Sequence, residues 1–306
     1  MSAVKAGGFA ALQCYEIAGC DSSVGVFRGM PILDLKSSGG YLHFDRDQCV
    51  AEGEKRATEY QTATPFPHIV MDDFLDADVL RGIIEEFPDR EGRTYFDRAQ
   101  ERLKYQFDPN TIDSFRVRNL LAELNSEPFL AFLSAMTGIE GLISDPYYAG
   151  GGLHETLSGG HLSIHADFNL HGQMKVERRL NLLVYLNDDW PQEYGGELEL
   201  WDKKMRGAAQ SVLPVMARAV VFNTTLQSFH GQPDPVRCPP DRSRRSIATY
   251  YYTALPAEKV INKRTTTFQT RPESKDKPDW QVRYLHFVED WVPPRMQRLA
   301  RRVVGY

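Results

Sequence analysis

The sequence predicts a mainly β protein with flanking helices, an α+β chain, on three observations. From about Ile143 to Ala254, short apolar or alternating runs are separated by Gly, Pro, Asn and Asp, the texture of a sandwich or barrel rather than of alternating β and α units. Between residues 61 and 142, apolar residues recur at helical spacing behind residues that cap helices. The end of the chain, Trp280 to Val304, is again helical in pattern and is broken at Pro293-Pro294.

Taken in order, residues 1–60 read as an irregular segment with one short strand at Tyr41–Phe44, because small residues, Gly39-Gly40 and the charged run Glu52 to Arg56 give no period. Residues 61–142 read as a helical support region packed on the core. It opens with a strand from Pro65 to Met71. Asp76 then caps a helix carrying Val79, Leu80, Ile83, Ile84 and Phe87 on one face, stopped by Pro88. A second helix is expected around 117–124. A third has Ser126 as cap, Glu127 and Pro128 in its first turn, an apolar face of Phe129, Phe132, Leu133 and Met136, and Gly138 as its end. Residues 143–256 form the expected β core. Leu180–Leu186 is nearly all apolar, as in a strand buried on both faces, and Glu197–Trp201, Ala217–Phe222 and Ser246–Tyr252 are further strands. Residues 257–306 are expected to be a helical extension.

Composition narrows the function classes. The 306 residues carry 36 basic and 41 acidic side chains, a net charge of −5, which gives no field to collect nucleic acid or an anionic membrane. Arg295, Arg298, Arg301 and Arg302 gather at helical spacing and read as a solvated face. No apolar run approaches the ~20 residues of a membrane span. Cys14, Cys20, Cys49 and Cys238 make no C-x-x-C pair, and the N-terminus is a poor secretory signal. The expectation is a cytoplasmic protein with reduced thiols, a small-molecule or peptidyl substrate, and no nucleic-acid or membrane partner.

Within the β segment, His165-Ala-Asp167 puts an imidazole and a carboxylate on one side of an extended chain, and Ser228-Phe-His230 supplies a second imidazole from a distant strand. Two nitrogens and one oxygen on one face of an octahedron form the facial triad of non-haem Fe(II) oxygenases, which leaves three positions open. H-x-D by itself is weak, and the chain holds a second copy, His43-Phe-Asp45, in its poorly patterned N-terminal part. The copy at His165 has His230 and then Arg244-Arg-Ser246 downstream at plausible spacing, whereas His43 has only His68 close downstream and no comparable set. Arg244 and Ser246 share a strand face, and a guanidinium with a hydroxyl suits the far end of a dicarboxylate.

These motifs, with Gly159-Gly-His-Leu-Ser-Ile-His-Ala-Asp-Phe-Asn, Arg179-Leu-Asn-Leu-Leu-Val-Tyr-Leu-Asn and Gly195-Gly-Glu-Leu-Glu-Leu-Trp between and around them, resemble the Fe(II)- and 2-oxoglutarate-dependent oxygenases, in their prolyl 4-hydroxylase-like branch. The resemblance implies a double-stranded β-helix, a cupin-like jelly roll, with His165, Asp167 and His230 on the metal. It implies Arg244 and Ser246 on the C5 carboxylate of 2-oxoglutarate, with O2 as co-substrate, release of succinate and CO2, and ascorbate as a candidate reductant. Asp167 favours hydroxylation, since halogenating relatives lack that carboxylate. Tyr185 has two equal readings, a contact to the same carboxylate and a core aromatic, and Asn181 reads as a structural hydrogen bond. Where some members carry an upstream co-substrate tyrosine, the same count back gives Glu155. His68, His154, His161 and His171 read as structural or rim residues. Tyr95, Phe96, Lys104, Tyr105, Phe107 and Arg116 are candidates for the mouth. Two other classes compete: a cupin-type metalloenzyme that does not use 2-oxoglutarate, and a non-catalytic binding module on the same scaffold.

Overall fold

The computed structural model describes residues 29–256, 263–293 and 295–297. Its first elements are a hairpin, β1 (Leu35–Ser38) and β2 (Tyr41–Phe44), followed by α1 (Arg46–Thr62). The expectation of an irregular 1–60 is therefore corrected from β1 onward. Helix α1 is 17 residues long and buries only Cys49, Gly53 and Tyr60, so its sequence shows no apolar stripe. Asp45 of the decoy H-x-D caps it, accepting from the Gln48 amide at 3.0 Å, and has no part in a metal group.

Next come β3 (His68–Met71), α2 (Ala77–Glu85), β4 (Thr94–Arg98), β5 (Glu101–Phe107), α3 (Phe115–Glu123) and α4 (Glu127–Thr137). Asp76 caps α2 as expected, and Gly138, at φ 71°, ends α4. Ser126 precedes α4 but makes no side-chain capping bond. The support region is not purely helical: β3 joins the main sheet, and β4 with β5 forms a hairpin laid against it.

The core strands are β6 (Ile143–Ser144), β7 (Gly152–Ala166), β8 (Glu177–Tyr185), β9 (Leu198–Trp201), β10 (Ala208–Val212), β11 (Ala219–Asn223), β12 (His230–Gln232) and β13 (Ser243–Thr253). After them lie β14 (Thr267–Phe268) and α5 (Trp280–Trp291). Strand β7 changes sheets. Its first half pairs with β13 in the order β7-β13-β8-β11-β3, and its second half pairs with β12 in the order β10-β9-β12-β7. The crossing falls at Gly159-Gly160, where Gly159 has φ +84°. A β-carbon on Gly160 would sit 2.8 Å from the Arg102 carbonyl oxygen of β5, so the bend needs glycine twice. Antiparallel strands arranged this way make the expected jelly roll.

Strand β8 explains why its sequence is apolar on both sides. Leu180, Leu182 and Val184 belong to the large core shared with Phe129, Phe132 and Leu133 of α4, while Leu183 and Tyr185 pack inside the roll with Leu198, Val220 and Phe222. The helices thus brace one sheet from outside and leave the space between the sheets for a site.

Candidate metal centre

Sheet register brings the triad together. His230 of β12 lies opposite His165 of β7, and Asp167 follows two residues after His165. One ligand atom from each of the three falls within 4.8 Å of the others. Asp167 Oδ1 is 3.6 Å from His165 Nε2, and its Oδ2 is 3.4 Å from His230 Nε2. Each imidazole also has its other nitrogen, Nδ1, at 2.9 Å from a backbone carbonyl two residues earlier, Ser163 for His165 and Ser228 for His230. A carbonyl only accepts, so Nδ1–H donates in both rings and Nε2 carries the free lone pair towards the centre. That is the tautomer a metal ligand needs.

Asp167 is held by Asn181, read from the sequence as a structural hydrogen bond, and by Arg178, which no motif marked. Asn181 donates through Nδ2 to Asp167 Oδ2 at 2.8 Å, and Arg178 Nη2 lies 3.2 Å from the same oxygen. Arg178 also donates to Asn181 Oδ1 through Nε and Nη2. Its guanidinium is buried between the rings of Tyr250, at 3.5 Å, and Phe168, at 4.5 Å. Burial pushes the Asp167 carboxyl pKa up, but the charge of Arg178 with the two imidazoles outweighs it and holds the group well below the carboxylate range. Burial, with His165 beside it, pulls His230 down to about 4. Both ligands are therefore deprotonated at neutral pH.

The triad opens into a cavity of about 270 Å³ whose walls also include Arg244 and Ser246. Arg244 is buried, donates through Nε to the Gly196 carbonyl at 2.7 Å, and lies with its Cζ 5.0 Å from the centre of the Tyr185 ring. No carboxylate pairs with it among the described residues. Burial lowers its pKa, and the nearby Tyr185 works against that without offsetting it. Gly196, at φ +78°, makes room for it: a β-carbon there would stand 3.0 Å from Arg244 Cδ. Tyr185 is fully buried beneath this guanidinium, with its hydroxyl beside the Arg244 side chain. Asn181 lines the cavity and makes the structural bond expected of it, to Asp167.

Glu155 faces the other way. It is 1% exposed and accepts from Arg90 at 2.7 and 2.9 Å, from Ser243 at 2.6 Å and from Arg245 at 3.2 Å. His154 and Thr156 line the cavity instead. The bend at Gly159-Gly160 changes which parity of β7 points inward, so His154 rather than Glu155 reaches the wall. His154 contacts the Gly150 carbonyl and His161 the Ala99 carbonyl through Nε2, and His68 bonds the Phe66 carbonyl through Nδ1. His171 is buried and accepts from two backbone amides of its own turn. His68, His161 and His171 lie outside the cavity lining, whereas His154 is part of it.

Of the mouth candidates, Phe96 and Lys104 line the cavity. Tyr95 stacks on Tyr105 outside it, Phe107 is core, and Arg116 lies beside Glu85 and Glu86. The C-terminal segment contributes a wall residue that no sequence signal marked. In β14, Phe268 pairs with His165, its ring is 5.6 Å from that imidazole, and the Arg98 guanidinium covers it at 5.2 Å. Among the described residues, no helix is long and apolar enough to cross a membrane.

Residues 151–252, which hold every one of the six residues expected at the site, match the family model of the 2OG-Fe(II) oxygenase superfamily. The mouse prolyl 3-hydroxylase OGFOD1 is 26% identical over 200 residues, covering 61% of this chain and 33% of that protein, so the chain spans about a third of the length of this curated relative. A prolyl hydroxylase from Trichoplax adhaerens, solved with a hypoxia inducible factor oxygen degradation domain peptide fragment, superposes with a TM-score of 0.50 at 13% identity, over 67% of this chain and 91% of its own. A Pseudomonas putida prolyl-4-hydroxylase superposes with a TM-score of 0.46 at 19% identity, over 66% of this chain and 98% of its own. The Trichoplax likeness shows the jelly-roll fold.

Proposed function

We propose that this chain, whose residues 151–252 match the model of the 2OG-Fe(II) oxygenase superfamily, is an Fe(II)- and 2-oxoglutarate-dependent dioxygenase that hydroxylates a prolyl, amino-acid or other small substrate. The observation that carries this reading is Arg244: a buried guanidinium without an acid partner among the described residues, in one cavity with a facial triad. A buried cation is costly unless paired, so the site is built for an anion that arrives from outside.

The residues present fit both groups. His165, His230 and Asp167 would hold Fe(II), and Arg244 would take the distal carboxylate of 2-oxoglutarate, with the Ser246 hydroxyl beside it. The Tyr185 hydroxyl, buried beside the Arg244 guanidinium, lies at the same polar end of the cavity, which supports the co-substrate reading of Tyr185 over the purely apolar one. When bound, iron and 2-oxoglutarate supply the oxidative chemistry, in which 2-oxoglutarate, O2 and a substrate C–H bond become succinate, CO2 and a hydroxylated product. The protein's own part is placement. The two Nδ1–H bonds fix both imidazole tautomers, Arg178 and Asn181 keep Asp167 ionised and aimed, and Phe96, Phe168 and Phe268 supply apolar wall that limits water. A cupin-type metal site without 2-oxoglutarate leaves Arg244 with nothing to bind, and a non-catalytic module has no need of two pre-set tautomers.

The test is succinate release with Fe(II), ascorbate and 2-oxoglutarate, alongside the melting temperature of the Mn(II)-loaded protein with and without 2-oxoglutarate. Release that disappears in His165→Ala, with stabilisation by 2-oxoglutarate, is the expected result. Absence of both overturns the reading.

A further inference from the structure

We propose that the substrate is a polypeptide with acidic residues beside the residue that enters the cavity, and that a cationic groove at the mouth binds them; this rests on the oxygenase reading and extends it to the substrate class. The groove is a second cavity of about 470 Å³ between the turn of the β4–β5 hairpin and residues 271–277. Its walls carry Arg98, Arg102, Arg271, Lys275 and Lys277. Against these five cations stand two acids in the lining, Asp97 and Asp276. In a chain of net charge −5 that is a local inversion of sign.

Not all of the positive charge is spent internally. Arg271 is committed to Asp276 at 3.0 Å and Asp234 at 2.8 Å, Arg102 faces Asp97 at 3.5 Å, and Arg98 donates to Glu101 at 3.2 Å, so the unspent charge is that of the two lysines. Lys275 and Lys277 are exposed and make no ion pair among the described residues. The groove adjoins the metal-centre cavity, with Arg98 in the walls of both. A ligand engaging both spaces must extend past Arg98, which a free amino acid inside the inner cavity does not do. An extended peptide advances ~3.3 Å or more per residue and reaches from one space to the other within a few residues. The same positive charge would attract nucleic acid, but the groove lining contains no Phe, Tyr or Trp ring on which a base could stack, its one ring being the imidazole of His161. Acidic side chains on an extended peptide match what is there.

The experiment is fluorescence anisotropy on the Mn(II)- and 2-oxoglutarate-loaded protein with three labelled peptides of one length, each with a central proline, flanked by Glu/Asp, by Ser or by Lys. A labelled single-stranded oligonucleotide is run in parallel. The Glu/Asp peptide is expected to bind tightest, with a preference that shrinks as salt rises. The double variant Lys275→Glu/Lys277→Glu is expected to weaken it by roughly 3–30-fold, the range for two exposed ion pairs lost. Equal binding of the three peptides, a preference for Lys, a preference that survives the double variant, or tighter binding of the oligonucleotide each overturns the proposal. Stabilisation of the Mn(II)-loaded wild type by 2-oxoglutarate, measured separately, judges the oxygenase reading by itself.

Discussion

Arg178 Nη2 lies 3.2 Å from Asp167 Oδ2, and the two are joined a second time through Asn181, which donates to the carboxylate and accepts twice from the guanidinium. The only carboxylate of the triad is thus fixed from behind by a buried cation clamped between Phe168 and Tyr250. Arg178→Ala removes both the charge and one leg of this clamp. Metal affinity is expected to fall about 10–100-fold, as for other changes behind a metal ligand. Arg178→Lys should recover only part of it, since a point charge does not reproduce the fork that meets Asn181 and Asp167 together. Calorimetric titration with Mn(II) reads both; unchanged affinity in Arg178→Ala would refute this role.

Arg244→Lys keeps the positive charge but loses the planar pair of donors. The expected consequence is a KM for 2-oxoglutarate raised about 10–100-fold, or 1.4–2.8 kcal/mol, with metal binding unaltered. A variant whose KM for 2-oxoglutarate matches the wild type would remove Arg244 from the co-substrate site.

The metal-free protein should lose stability in acid through His230. Burial lowers its folded pKa to about 4, against about 6.5 for a free imidazole, so the unfolded chain binds the extra proton first. Stability from this group is complete above about pH 6.5 and declines as pH falls towards 4, by up to about 3 kcal/mol. Urea unfolding in the presence of a chelator from pH 7 to 4, compared with His230→Gln, isolates the effect. Equal slopes in the two proteins would contradict it.

Phe268→Ala opens the wall against His165 and removes the ring under Arg98. A loss of about 2–4 kcal/mol in stability is expected for truncating a buried phenylalanine at the edge of the fold. The ratio of hydroxylated product to succinate should also fall, because the substrate is held less firmly and water enters more freely. That ratio distinguishes a wall of the site from a residue that only packs: an unchanged ratio in the surviving folded protein would leave Phe268 a structural role alone.

The metal triad and the guanidinium were legible in the sequence because each rests on short-range geometry. Period-two alternation places His165 beside Asp167 and Arg244 beside Ser246 whatever the rest of the chain does, and the apolar face of α2 or the glycine after α4 is similarly local. Which residue stands in the wall where Glu155 marks a departure from the family pattern is left open by the sequence between His154, another residue and none, because a non-local event, the sheet change at Gly159-Gly160, sets the inward parity of β7; the structure puts His154 and Thr156 there. Helix α1 was missed because its three buried residues leave no stripe.

By itself, then, the linear order of residues determined which atoms have metal-binding and carboxylate-binding character, and that several short strands would hold them. Only the tertiary structure decided that Arg178 stands behind Asp167, that His154 and Thr156 replace Glu155 in the wall, and that Phe268 returns from beyond the core to cover His165. The physical reason is that local spacing dictates which side chains share a face of one strand, while neighbours across sheets are chosen by the pairing and packing of segments tens of residues apart.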